Sequence, residues 1–230
     1  MTHYPTTFEI LLEDDWLVAV NKPSGILVHR TGISEDTVFV LQLLRNQLGM
    51  RVYPIHRLDR GTSGVLLFAK SPESAAELNA LFRGKSVEKE YTGIVRGFID
   101  ETGVIDHPIV DYPGAAGQEA LTTYRRLAQV ELPVAVGRYP TARYSLVAIS
   151  PQTGRWRQIR KHFSHIRHPI IGDKKHGDLH HNKYFSETLG IHRLLLHAHR
   201  LRFTHPYTGQ DLEITASWDE AFATAAAIFE

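Results

Sequence analysis

The stretch "PIHRLDRGTSGVLLFAK" (54–70) sets one acid, Asp59, between Arg57 and Arg60, then runs through a Gly-rich turn into an apolar segment. A nucleophile or general base must be ionised, and flanking guanidinium groups favour the charged form of a carboxylate. A loop that ends in a buried strand is also a rigid mount for a reactive group. A structural ion pair accounts for the same residues, so both readings stand for this segment alone. In "TGRWRQIRKHFSHIRH" (153–168), Arg155, Arg157, Arg160, Lys161 and Arg167 occur without an acid among them. On a helix, Arg157, Arg160 and Lys161 fall on adjoining turns and can track a phosphate backbone, with Ile159, Phe163 and Ile166 as the buried stripe. A solvated helix face is the plainer account, yet cations with no acid between them repel one another and favour an anionic partner.

Other constellations are weaker. His162, His165 and His168 are spaced three apart, and His197 and His199 would share one face of a strand. They lack an HExxH motif and a neighbouring carboxylate, so histidines on a basic surface are preferred to a metal site. Ser63 in "GTSG" lacks the GxSxG spacing of a hydrolase nucleophile. Neither a Walker A motif nor GxGxxG is present, so a nucleotide cofactor has no support.

The elements that must position these residues follow from pattern. In 14–29, an apolar run followed by Pro23-Ser24-Gly25 predicts strand, tight turn, strand. Helical spacing predicts a helix over 34–49, with Ser34 as N-cap and Gly49 as the stop. Residues 64–70 predict a buried strand, and 71–84 a helix with Ser71 at the cap, Pro72 at its first position and Gly84 past its end. Strands are expected at 89–97, 142–150 and within 192–209, helices at 153–169 and 219–229, and a loop at 110–120. Hairpins mixed with helices, without a repeating strand–helix unit, indicate an α+β fold whose sheet is mixed or antiparallel.

Composition sets the limits. The chain has 230 residues, 43% hydrophobic and 22% charged, which suits one soluble globular domain of two closely joined subdomains. It has no cysteine, which excludes disulfides, thiolate chemistry and Cys-ligated zinc. No stretch approaches a membrane span, and the N-terminus does not read as a secretory signal, so the cytoplasm is the expected location. Net charge is only +1, but 151–205 carries 11 Lys and Arg against 3 Asp and Glu, with 10 of the 14 histidines. One basic face is the footprint of a polyanion ligand.

Four segments in order resemble the pseudouridine synthases related to the ribosomal large-subunit type A enzymes. They are "LVAVNKPSGILVH" (17–29), "HRLDRGTSGVLLFAK" (56–70), "KEYTGIVRG" (89–97) and "TGRWRQIRKHFSHIRHPIIGD" (153–173). The resemblance implies that family's catalytic fold over 1–230, with a mixed, mostly antiparallel central sheet, flanking helices and a central cleft. With the first motif at Leu17, no N-terminal S4 domain is expected. It also implies an isomerase that converts uridine to pseudouridine in RNA without cofactor or metal, as a monomer. Asp59 matches the catalytic aspartate and Arg57 the arginine that helps hold the target base out of the helix. Tyr91 matches the tyrosine that stacks on the flipped uracil. Arg160 matches the basic partner of the aspartate, and Ile159 its apolar neighbour in the pocket. Lys22, Arg60, Arg155, Arg157 and Lys161 are expected on the RNA. Segments 132–155 and 168–182 resemble a branch that acts on tRNA, which implies uridine 65, described as lying in the lower acceptor stem. Gly61 stands where many relatives carry Asp, and Trp156-Arg157 replaces a commoner Thr-His. A synthase acting on ribosomal RNA and a non-catalytic RNA-binding protein on the same scaffold are the alternatives.

Overall fold

The computed structural model describes residues 6–30, 36–112 and 114–230. The chain divides into two compact units, Met1–Glu88 with Ala198–Ser217 and Lys89–His197 with Trp218–Glu230.

In the first unit, β1 (Ile10–Glu13) pairs antiparallel with β2 (Leu17–Lys22). After α1 (Val40–Leu48) comes the two-residue β3 (Tyr53–Pro54), and then β4 (Ser63–Ala69). β4 receives β2 and β3, both antiparallel, with Leu17 opposite Ala69 and Lys22 opposite Gly64. All seven residues of β4 are buried, as its unbroken apolar run requires. Helix α2 (Pro72–Arg83) starts where the sequence says it must: the Ser71 side chain accepts from the Ser74 N–H while Ser74 Oγ accepts from the Ser71 N–H. The core of this unit joins Leu17, Val65, Leu67 and Leu78 to Leu201 and Phe203.

The second unit is a sheet in the order β5 (Glu88–Arg96), β8 (Ala142–Pro151), β7 (Leu121–Leu132), β6 (Thr102–Asp106), each neighbouring pair antiparallel. Its helices are α3 (Gln158–His165), α4 (Leu179–Thr188) and α5 (Glu220–Ala226). One apolar cluster gathers Tyr144, Ile171, Phe185 and Phe222, and another Val95, Val147, Ile149 and Phe163. Burying each such side chain contributes about 1.5–3 kcal/mol. Strand β9 (Leu196–Thr204) leads back into the first unit, where β10 (Asp211–Thr215) pairs antiparallel with it. The strand pairs within each unit are antiparallel, and helices intersperse them, giving the α+β class.

Several elements differ from the pattern-based expectation. The strand expected after Pro23-Ser24-Gly25 reduces to one parallel bridge, Leu27 with Phe39. Helix α1 begins at Val40, not near 34, with no side-chain cap; Ser34 lies outside the described residues. Helix α3 spans only 158–165 because Arg157 takes a left-handed conformation (φ 55°), so 153–157 is a turn. Strands β1, β3, β6, β7 and β10 and helix α4 lie outside the expected elements. Along β7, half-exposed charged residues blur the apolar alternation, and α4 buries only His181 and Phe185. No described helix is long and apolar enough to cross a membrane.

Histidines are committed inside the second unit. His162 is buried and its Nε2–H donates to the His107 carbonyl at 2.9 Å, which leaves Nδ1 to accept from Thr122 Oγ1 at 2.9 Å. His181 Nδ1 lies 2.9 Å from the Tyr144 hydroxyl. Burial holds both imidazoles below the ordinary histidine value of 6.5. The unfolded chain therefore takes up protons first, and stability is intact above about pH 6.5 and declines as pH falls below it. The depressed carboxyls of Asp173 and Asp178 add their loss only lower, as pH falls below their ordinary 3.8. The melting temperature is expected to drop between about pH 7.5 and 5.5, with a shallower drop in His162→Asn; an unchanged slope in that variant would refute the assignment.

Candidate active site

The Asp59 loop lies wholly in the first unit. Arg57 is exposed, Leu58 is buried and Asp59 is half-buried, so Leu58 pins the segment while its neighbours face outward. Upstream, the Ile55 N–H donates to the Leu67 carbonyl, and His56 Nε2 accepts from the Leu67 N–H at 3.1 Å. Downstream, the Thr62 N–H donates to the Asp59 carbonyl at 3.1 Å and closes a turn. A second turn clasps the first. The Arg60 carbonyl accepts from the Gly25 N–H at 2.8 Å, and the Gly61 carbonyl accepts from Ser24 Oγ at 2.7 Å. Under both turns lies Lys22, fully buried, its ammonium donating to the carbonyls of Pro23 (2.8 Å), Ile26 (2.8 Å) and Arg60 (3.3 Å). Gly64 completes the arrangement: at φ +107° a Cβ there would sit 2.2 Å from the Ala198 carbonyl oxygen. The Gly-Thr-Ser-Gly turn is thus set by close backbone approach.

One expectation about this loop changes: Lys22 was expected on RNA, but it is sealed inside and binds backbone. Arg60, expected on RNA and placed by the sequence beside Asp59, stays exposed and forms an ion pair with Asp36.

The remaining residues lie in the second unit. Tyr91 is half-buried on β5 opposite Ile149 and packs against the cluster that contains Val95 and Phe163. Ile159 belongs to that same core and is only 7% exposed. Arg160 grips Asp173 with two parallel bonds, Nε to Oδ2 and Nη2 to Oδ1, both 2.7 Å. Asp173 Oδ1 also accepts from the N–H groups of Lys175 and His176. Burial opposes the charge on Asp173, but Arg160 and the two N–H groups outweigh it and hold the carboxyl below its ordinary value. Gly172 lets the chain make this turn, since a Cβ there would lie 1.9 Å from the Arg193 carbonyl oxygen. Asn182 of α4 then locks it, accepting from the Gly172 N–H and donating to the Asp173 carbonyl.

The basic segment is less uniform than its sequence. Arg155 is exposed and donates to the Glu119 carbonyl. Arg157 precedes the helix instead of standing on it, and stacks on Trp156 with its guanidinium carbon 4.2 Å from the ring centre. Lys161 donates to the Val110 carbonyl at 2.9 Å and lies 3.5 Å from Asp111. Sequence reasoning missed Asp173, Asn182 and Gln158. The buried Gln158 side chain bonds Thr153, the Arg155 N–H, the Leu121 carbonyl and Thr122, and so fixes the turn before α3. Isolated polar residues give no periodic signal by which to find them.

The clasp around Lys22 can be measured. Lys22→Met leaves buried carbonyls without their donor at about 1–3 kcal/mol each, so unfolding in urea should show a loss of about 2–4 kcal/mol. A loss well under about 1 kcal/mol would mean that the turns hold without the ammonium.

Comparison with known proteins bears on the family. The RNA pseudouridylate synthase family matches residues 16–165. Proteins named tRNA pseudouridine synthase C are similar over almost the whole chain. The one from Vibrio parahaemolyticus is 47% identical, covering 98% of this chain and 96% of its own. The one from Pasteurella multocida is 50% identical, covering 97% of each. Among solved structures, human RNA pseudouridylate synthase domain containing 4 superposes with a TM-score of 0.75 at 25% identity, covering 96% of this chain and 92% of that one. A family match across most of the length, relatives near half identity and a shared fold lead to one conclusion: the chain belongs to the RNA pseudouridylate synthase family.

Proposed function

We propose that the chain isomerises uridine 65 of tRNA to pseudouridine, as a cytoplasmic monomer. The carrying observation is near-half identity, end to end, with relatives named tRNA pseudouridine synthase C. Uridine 65 is supported by the likeness of 132–155 and 168–182 to that branch, and 168–182 is the segment that builds the Asp173–Asn182 lock around Arg160.

The reaction breaks the N1–C1′ bond, turns the uracil and joins C5 to C1′. The proton on C5 leaves and N1 gains one, so no electrons are exchanged. The base must leave the stack to be reached. In this reading Arg57, exposed beside the turn, helps hold the base out, and Tyr91 offers a flat face for stacking. Ile159 contributes apolar backing from the core. Asp59 is the reacting carboxylate, whether it attacks C1′ or uracil C6 or takes the proton on C2′. Each of these routes needs it ionised. Arg160, oriented by Asp173, supplies the fixed positive charge that this reading assigns to the site. Arg155 and Arg157 meet the backbone phosphates, and the tethered Lys161 adds to the positive field around them.

Asp59→Asn should keep the fold and tRNA affinity while release of tritium from 5-tritiated uridine in a tRNA transcript falls at least ~10³-fold. Retained release would sink the assignment. Release should also vanish from a transcript with cytidine at position 65. If stacking is the role of Tyr91, Tyr91→Phe loses about threefold or less and Tyr91→Ala at least about thirtyfold in kcat/KM; equal losses would give the role to the hydroxyl.

A further inference from the structure

Trp156 is the one aromatic residue inside the basic run from Thr153 to Lys161, and it stays 38% exposed. Three cations converge on its ring. The Arg157 guanidinium carbon lies 4.2 Å from the ring centre, and the ammonium nitrogens of Lys161 and Lys175 lie 4.9 and 5.7 Å from it. These cations come from the turn before α3, from α3 itself and from the Asp173 turn. Arg157 reaches the ring from a left-handed backbone, a conformation that costs energy for a non-glycine residue.

Charge in this neighbourhood is not balanced. Arg157, Arg160, Lys161 and Lys175 face the carboxylates of Asp173 and Asp111. Asp173 is taken up by Arg160, while Asp111 lies 3.5 Å from Lys161 and accepts from Gln118. Lys175 is exposed, and no ion pair ties it to a carboxylate among the described residues. The indole face holds these like charges close together by attraction to each. His176 adds an independent sign of a ligand. Its Nε2 is buried without a hydrogen-bond partner among the described residues, although buried polar atoms are almost always paired. Its ring lies in the field of the Asp173 carboxylate and, opposing it, of Arg160, Arg157 and Lys161. With the proton on Nε2, the ring would donate to an anionic oxygen.

We propose that Trp156, Arg157, Lys161, Lys175 and His176 form a preorganised subsite for a backbone phosphodiester of the RNA, with Trp156 as the positioning residue that gathers the cations. The proposal rests on the tRNA-modifying reading above and deepens it.

The test compares full-length wild type with Trp156→Leu, Trp156→Phe and Lys175→Gln, using unmodified tRNA transcript. Binding is measured across a salt series and turnover by tritium release. Both Trp156 and Lys175 are exposed, so circular dichroism and melting should match the wild type. Trp156→Leu and Lys175→Gln are expected to raise Kd and KM about three- to tenfold with kcat within about twofold. Lys175→Gln should also flatten the plot of log affinity against log salt by about 0.7–0.9, one phosphate contact. Trp156→Phe, which keeps an aromatic face, should restore most of the affinity. Weaker binding by Trp156→Leu at an unchanged salt slope would overturn the proposal, because it would mean that the ring stacks on a base. Wild-type Kd and slope in both Trp156→Leu and Lys175→Gln would also overturn it. Binding needs no turnover, so a wild type that binds tRNA with this salt dependence but makes no pseudouridine refutes the functional reading alone.

Discussion

A buried ammonium holds the Asp59 turn in place. Taking the charge of Lys22 out of water is costly unless polar groups replace the solvent. Here the replacements are the carbonyls of Pro23, Ile26 and Arg60, whose dipoles point at it. Those carbonyls belong to the two turns that meet beside Asp59. The same interaction that offsets the desolvation of Lys22 therefore constrains the backbone that carries Asp59. The Ser24–Gly61 and Gly25–Arg60 bonds work in the same direction, and Gly64 removes the one side-chain atom that would push the strand away from Ala198. The carboxylate proposed to react is mounted on backbone that has few alternatives, which is the condition for a preorganised site.

The second unit applies the same logic to Arg160. Its guanidinium has one geometry that satisfies both oxygens of Asp173. Asp173 is in turn held by two N–H groups, by the Gly172 turn and by Asn182 of α4. Behind α3, Gln158, Thr122 and His162 form a closed polar network with the His107 and Leu121 carbonyls. Buried polar networks that are fully satisfied stiffen a structure and specify one arrangement. His162 and His181 thus serve as buried structural groups, and His168 donates from Nδ1 to the Arg96 carbonyl.

Much of this was legible in the chain itself. The apolar run of β4, the Ser71-Pro72 start and Gly84 stop of α2, and the Asp219 start of α5 are local signals, and local physics decided them. Asp59 stood out because an acid among arginines before a buried strand is an unusual local pattern. Other features depended on distance. Arg60 looked paired with its neighbour Asp59, yet its ion pair is with Asp36. Lys22 looked like a surface cation because nothing in "NKPSG" announces that the strand buries it.

By itself the sequence determined the class of the fold and the resemblance that implies the chemistry, and it singled out Asp59 as the candidate acid, since these rest on residue type and short spacing. Tertiary structure decided which charges meet. It sent Lys22 inward, gave Arg160 the carboxylate of Asp173, and gathered Arg157, Lys161 and Lys175 on Trp156. The reason is physical. A backbone pattern is read over a few residues, whereas a charge takes whichever partner the folded chain brings within a few ångströms.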